Sequence, residues 1–159
     1  APTIILQKEH DKIMYMCDVL FGHSEVRDLL QVEGKREIAN AWKDEDTDVY
    51  CKGKADYING KTLIDLKTTS DGSFYGFSNS CKKYGYDRQS AFYLDGFNCD
   101  EFLFITQEKE RPYNVSIFYA SDEFIERGRQ EYKYLLGVYK KFFIDNEQPV
   151  EEHLIIDTL

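Results

Sequence analysis

The chain lacks any cysteine pattern. Its four cysteines, Cys17, Cys51, Cys81 and Cys99, lie far apart with no Cys-x-x-Cys pair, which excludes a zinc-ribbon site and a dithiol redox motif. They read as free, mostly buried thiols of a reducing compartment. No apolar run approaches the roughly 18 residues of a membrane span. The start also lacks the charged, then apolar, then small pattern of a secretory signal. The expectation is a cytoplasmic protein with no membrane partner. Excess positive charge is missing too: 20 Lys and Arg face 29 Asp and Glu, for a formal net charge of −9. That balance excludes a general polyanion binder, whose footprint is basic. It leaves room for a local basic patch or bound cations that reverse the potential at one site.

What is present is a foldable, aromatic-rich chain. Its 159 residues are 42% hydrophobic, with 12 Tyr and 11 Phe, enough for one domain over residues 1–159 with its own core. After a short apolar start (1–6), three- and four-residue spacing of Ile13, Met16, Cys17 and Leu20 predicts a helix over 7–21, ended by Gly22. Ser24 caps a second helix, closed by Gly34. His10, near the first helix start, reads as a solvated surface residue. Strands are expected at 37–42, 49–58 and 62–68, helices at 74–84 and 86–95, with Gly85 between them and Gly96 as the second stop. Strands at 102–107 and 115–120 and a long helix over 122–144 complete the order. Ser121 caps that helix, and Phe124, Leu135, Leu136, Tyr139, Phe142 and Phe143 form its expected buried side. The tail adds a patch, Leu154-Ile155-Ile156, suited to docking on this domain or a neighbouring subunit. The acidic turn 43–48 lacks the spacing of a calcium loop. The fold class is α/β or α+β, a mixed central sheet of about five strands flanked by helices.

The chemistry concentrates in the hairpin around Asn59-Gly60. A two-residue turn there pairs Ile58 with Lys61, Asp56 with Leu63 and Lys54 with Asp65. Alternation then sets Lys54, Asp56, Asp65 and Lys67 on one face. Close carboxylates repel unless a cation sits between them or one takes a proton. Hard cations such as Mg²⁺ favour such oxygen ligands and assist phosphodiester hydrolysis, and a nearby lysine can orient the attacking water. The alternative is a surface hairpin with cross-strand Asp–Lys pairs, each contributing about 0.2–1 kcal/mol.

A longer pattern goes further. Asp56, then Asp65-Leu66-Lys67-Thr68-Thr69, then Tyr84-x-Tyr86-x-x-Gln89-x-Ala91-x-Tyr93-x-x-Gly96 resembles the PD-(D/E)XK nuclease superfamily, and within it the exonuclease VIII (RecE) type, related to RecB nuclease domains and lambda exonuclease. The resemblance runs from about Glu37 to the end of the long helix.

It implies a PD-(D/E)XK core with Mg²⁺ or Mn²⁺, two per active site, held by Asp56, Asp65 and the backbone carbonyl of Leu66, with Glu37 as an additional carboxylate. Lys67 would activate the attacking water. Gln89 and Tyr93, four apart on one helix face, would hold the DNA end or support Lys67. Lys52, Lys54, Lys61, Lys82, Lys83 and Arg88 would make phosphate contacts. The implied activity is 5′→3′ digestion of linear double-stranded DNA. The resulting 3′ single-stranded overhangs would pass to a single-strand annealing protein in recombination, as in phage or prophage systems, and the enzyme would be a homo-oligomeric ring. Two departures stand out. The upstream helix with a metal-site histidine is not recognisable around His10 or His23, and the cysteines do not match an iron–sulfur cluster, so none is expected. A silent DNA-binding or assembly module and a structure-specific endonuclease are the competing readings of the same pattern.

Overall fold

A computed structural model describes residues 6–30 and 33–146. The Leu154-Ile155-Ile156 patch lies outside them. Two helices come first, α1 (Gln7–Gly22) and α2 (Ser24–Leu29). An antiparallel meander follows, β1 (Lys35–Lys43), β2 (Tyr50–Asn59) and β3 (Thr62–Thr69). Helices α3 (Phe74–Tyr84) and α4 (Tyr86–Phe97) then lead to β4 (Glu101–Glu108), β5 (Val115–Tyr119) and α5 (Asp122–Tyr139), which ends in a π-helical turn, Lys140–Ile144. The five strands form one mixed sheet in sequential order, with β3 and β4 parallel. The connection between these parallel strands is the α3–α4 pair, as a parallel crossover requires. None of the described helices is long and apolar enough to cross a membrane.

Both faces of the sheet are covered, so β4 reads as a continuous buried run from Phe102 to Gln107 rather than an alternating one. Phe102 and Phe104 pack with Leu63 against Phe77, Ala91, Leu94 and Ile125 of α3, α4 and α5. Leu103 and Ile105 pack with Ile64 and Tyr57 against Leu20 of α1 and Val26 of α2. The helix ends are set locally. The Ser73 hydroxyl accepts from the Gly76 amide at 3.1 Å, and the Ser121 hydroxyl from the Phe124 amide at 3.2 Å. Gly85, at φ 64°, closes α3 and opens α4.

Three expectations are corrected. The hairpin turn is Gly60-Lys61, because Asn59 pairs with Thr62 and Ile58 with Leu63. Gly60 alone in the turn takes positive φ, 60°, so one glycine at the first central position suffices. The pairing moves by two residues, which leaves every side chain on its expected face up to Tyr57. Second, α4 runs through Gly96. The glycine is there for close approach: a Cβ would lie 2.3 Å from the Trp42 ring. Asn98, at φ 54°, ends the helix instead. Third, α5 buries Ile125, Gly128 and Tyr132, while Leu135, Tyr139 and Phe143 are substantially exposed. Gly128 sets this face, because a Cβ there would meet the Asp87 carbonyl oxygen at 2.0 Å.

Polar clamps reinforce this helix contact. Arg129 donates twice to Asp95, at 2.9 Å each, and the Tyr132 hydroxyl donates to Asp95 at 2.5 Å. Burial pushes the Asp95 carboxyl up, but these donors outweigh it and hold the group below its ordinary range. Arg127 reaches Asp87 at 2.7 Å. Gly128→Ala is therefore expected to force α5 off α4 and destabilise the fold by about 1–3 kcal/mol, the usual range for overpacking. Denaturant midpoints measure this. Gly137→Ala, where nothing lies within 4 Å, should cost nothing; equal effects at both positions would refute the close-packing account.

Candidate metal and nuclease site

The site forms where β2 and β3 separate. Their paired register ends at Tyr57–Ile64. Beyond it the Asp56 carboxylate, not a backbone carbonyl, accepts the Leu66 amide at 3.0 Å. The pleat of β2 changes phase at the same place. Gly53 lies against Tyr93 and Phe97 of α4, and Ala55 belongs to the same core layer, whereas Tyr57 packs toward α1 and α2. Lys54 consequently faces away from α4 and pairs with Glu37, whose backbone takes positive φ, 53°. The expected shared face of Lys54 and Asp65 is thus broken by the phase change. Glu37, Asp56, Tyr57 and Leu66 line one cleft with Leu20 and Leu30 of the α1–α2 layer.

Asp65 faces the α3–α4 layer and is 4% exposed. Gln89, from α4, donates to its Oδ1 at 3.0 Å. Its Oδ2 is buried with no hydrogen bond. The Lys67 ammonium stands 2.8 Å from that atom, at ion-pair distance but outside hydrogen-bond alignment. Burial pushes the Asp65 carboxyl above its ordinary range, Lys67 opposes this, and the Asp56 charge adds to the rise. Lys67 also lies 4.8 Å from the centre of the Tyr86 ring. Sequence reasoning quoted Tyr86 without giving it a role. The signal was its position three residues before Gln89, on the same helix face.

The other expected residues disperse. Tyr93 sits one turn beyond Gln89 and packs on Phe92, Phe97 and the backbone of Gly53. Arg88 pairs with Glu131 of α5 at 2.7 Å, and Lys61 donates to the Asn98 carbonyl. Lys82 and Lys83 occupy the last turn of α3, where they complement the helix dipole. Lys52 is exposed on β2.

The donor chemistry fits a hard divalent cation. A buried carboxylate oxygen whose near partner is the Lys67 ammonium, and a second carboxylate that interacts with it, are oxygen ligands of the kind Mg²⁺ takes when water and phosphate oxygens complete its shell. Among the described residues, no three His, Cys, Asp or Glu side chains come together to hold a metal between them. The carboxylate that would complete a trio, Glu37, is engaged by Lys54.

A phase-broken strand beside a D-x-K strand, in a five-stranded mixed sheet between two helical layers, defines a PD-(D/E)XK core. The chain belongs to the family of PDDEXK-like domains of unknown function (DUF3799), which matches residues 1–154, and with it to the PD-(D/E)XK nuclease superfamily. The fold is similar to that of a candidate exonuclease from Eubacterium rectale, with TM-score 0.71 and 15% identity over 91% of this chain. This chain spans 57% of that protein's length. It is also similar to a phage-related exonuclease from Haemophilus somnus, with TM-score 0.52 and 14% identity, over 92% of this chain and 77% of the other. At these identities the likeness is one of fold. A search of curated proteins matched none.

The raised Asp65 carboxyl has a stability consequence. A carboxyl raised on folding leaves the native state with more bound protons than the unfolded chain. Without metal, stability therefore falls as pH rises from the ordinary carboxylate range through the raised value. Asp65→Asn should raise the melting temperature of the metal-free protein at neutral pH by a few degrees, on a scale of about 2–4 °C per kcal/mol. A lower melting temperature would show that the Lys67 pair outweighs burial.

Proposed function

We propose that this domain is a metal-dependent deoxyribonuclease that digests linear double-stranded DNA from its ends, 5′→3′. The 3′ single-stranded overhangs would serve recombination through an annealing partner. The observation that carries the reading is Asp65. It is buried and raised in pKa, one oxygen is fixed by Gln89, and the other faces Lys67 without a hydrogen bond. An ion pair kept only for stability gains little from such burial. A site that must receive a cation does.

In this reading Asp56, Asp65 and the Leu66 carbonyl hold Mg²⁺ or Mn²⁺, which when bound neutralises charge developing on the phosphate. Lys67, held between Asp65 and the Tyr86 ring, positions the attacking water beside the phosphorus. Gln89 fixes the Asp65 carboxylate so that its other oxygen faces Lys67. Tyr93 backs Gln89 from the next turn. Exposed Lys82 and Lys83 offer charge to phosphates, whereas Lys54 must first leave Glu37. Ring assembly and a two-cation site are part of the same proposal. Glu37, which pairs with Lys54, would be the carboxylate available to a second cation. Because no three acidic side chains converge among the described residues, a silent module with the same fold is the second reading.

Linear duplex labelled at its 5′ end and closed circular duplex, incubated with Mg²⁺, separate these readings. The enzyme should consume only the linear form, and Asp65→Ala should abolish digestion. Cutting of circles would indicate an endonuclease, and no digestion would favour the silent module. Lys67→Ala should lower the rate by at least about 10²–10³-fold, as for loss of one transition-state donor, with cation affinity nearly unchanged. Equal loss of cation affinity would show that Lys67 shapes the metal site rather than the chemistry.

A further inference from the structure

We infer that Tyr84 is a stacking platform for an unpaired nucleobase of the strand being cut. This rests on the nuclease reading above and names the form of nucleic acid the site accepts. Two stacked rings lie between two cations, from the site to the surface. The Lys67 ammonium lies 4.8 Å from the Tyr86 ring centre, the Tyr86 and Tyr84 rings stack at 5.7 Å with 29° between their planes, and the Lys83 ammonium lies 5.2 Å from the Tyr84 ring centre. The inner end of this row is anchored, because Tyr86 packs on Phe77 and Phe104. The outer end is exposed: Tyr84 is 57% accessible, and the Lys83 side chain that lies over its ring is a flexible surface chain that a base can displace. Among the described residues it belongs to neither core cluster. Helix-dipole complementation accounts for lysines at the end of α3, but not for an exposed ring beside the Gly85 turn.

Two cavities of opposite character meet at Tyr84. One, of about 120 Å³, holds Lys67, Thr68, Ser80 and Lys109 and is polar. The other, of about 480 Å³, opens between α4 and α5 and is apolar, walled by Phe92, Leu135 and Tyr139. Gln89, which fixes Asp65, lines it too. A nucleotide has this division: a phosphate for the hydroxyl and ammonium groups, a base for the aromatic wall. Aromatic platforms beside a cationic track are how single strands are held without reading sequence. In duplex DNA the bases are paired and stacked on one another, so the platform selects a strand already opened at its end. The exposed Leu135 and Tyr139, which α5 does not bury in the core, gain a role as the far wall of the base cleft.

The test measures binding of a short single-stranded oligothymidylate to the full chain. Ca²⁺, a hard cation with the same ligand preference, replaces Mg²⁺, and abasic positions are scanned along the strand. Tyr84→Ala should weaken binding about 5–150-fold, the range for one lost base–aromatic stack, while Tyr84→Trp retains it. One abasic position should weaken wild-type binding similarly yet leave Tyr84→Ala unaffected, a coupling that a merely structural role would not give. Unchanged binding by Tyr84→Ala, or an abasic penalty equal in both proteins, overturns the inference. If wild type digests linear duplex in Mg²⁺ while Tyr84→Ala binds normally, the inference alone fails. If wild type neither binds the strand nor digests duplex, the nuclease reading fails and the inference falls with it.

Discussion

The structure turns on one substitution of partners: the Leu66 amide is taken by the Asp56 side chain instead of by the backbone of β2. A backbone amide in a sheet interior must find an acceptor or cost about 1–3 kcal/mol. A carboxylate can supply that acceptor while keeping its second oxygen available. The two strands therefore part at the place where β3 carries Asp65 and Lys67. The gap exposes Leu66 on one side of the sheet and leaves Asp65 under α4 on the other. Gly96 and Gly128 then matter at a distance. They let Trp42 and α5 close on α4, and α4 in turn places Gln89 against Asp65.

The electrostatics follow from that geometry rather than from the overall charge of −9. The buried carboxylate is uncomfortable alone, and Lys67 relieves it only in part. Much of the chain's positive charge is internally engaged, in Arg129 with Asp95, Arg127 with Asp87, Arg88 with Glu131 and Lys54 with Glu37. What remains near the site is the short row of lysines and tyrosines at the α3–α4 turn. On the nuclease reading proposed above, so local a cationic feature on an acidic protein favours a substrate engaged over one or two nucleotides, not along an extended groove.

Much of this was legible in the sequence because side-chain parity is robust. Asp65 and Lys67 lie two apart on one strand and share a face whatever the hairpin pairing, and a two-residue shift in that pairing keeps the β2 residues from Tyr57 to Asn59 on their expected faces. The 3.6-residue period set Gln89 and Tyr93 on one side of α4. What escaped was whatever depends on a second element. The phase change at Asp56 is a tertiary event, and it moved Lys54 to the other face. Gly96 looked like a helix stop because local propensity cannot reveal that Trp42 lies above it. Gly128 carries no hydrophobic signal for the buried side of α5, although its missing side chain is what permits the contact. Tyr86 was visible in the motif, but its role needs the Lys67 ammonium over its ring.

The central claim is that the parted strands create one cation site shared by Asp56 and Asp65. Isothermal titration calorimetry of Mn²⁺ into wild type, Asp56→Asn and Asp65→Asn, without nucleic acid, tests it most directly. The account predicts binding by wild type and a loss of at least about tenfold in affinity in each variant, corresponding to roughly 1.4 kcal/mol or more. Wild-type affinity retained in both variants would place the cation elsewhere and contradict the account.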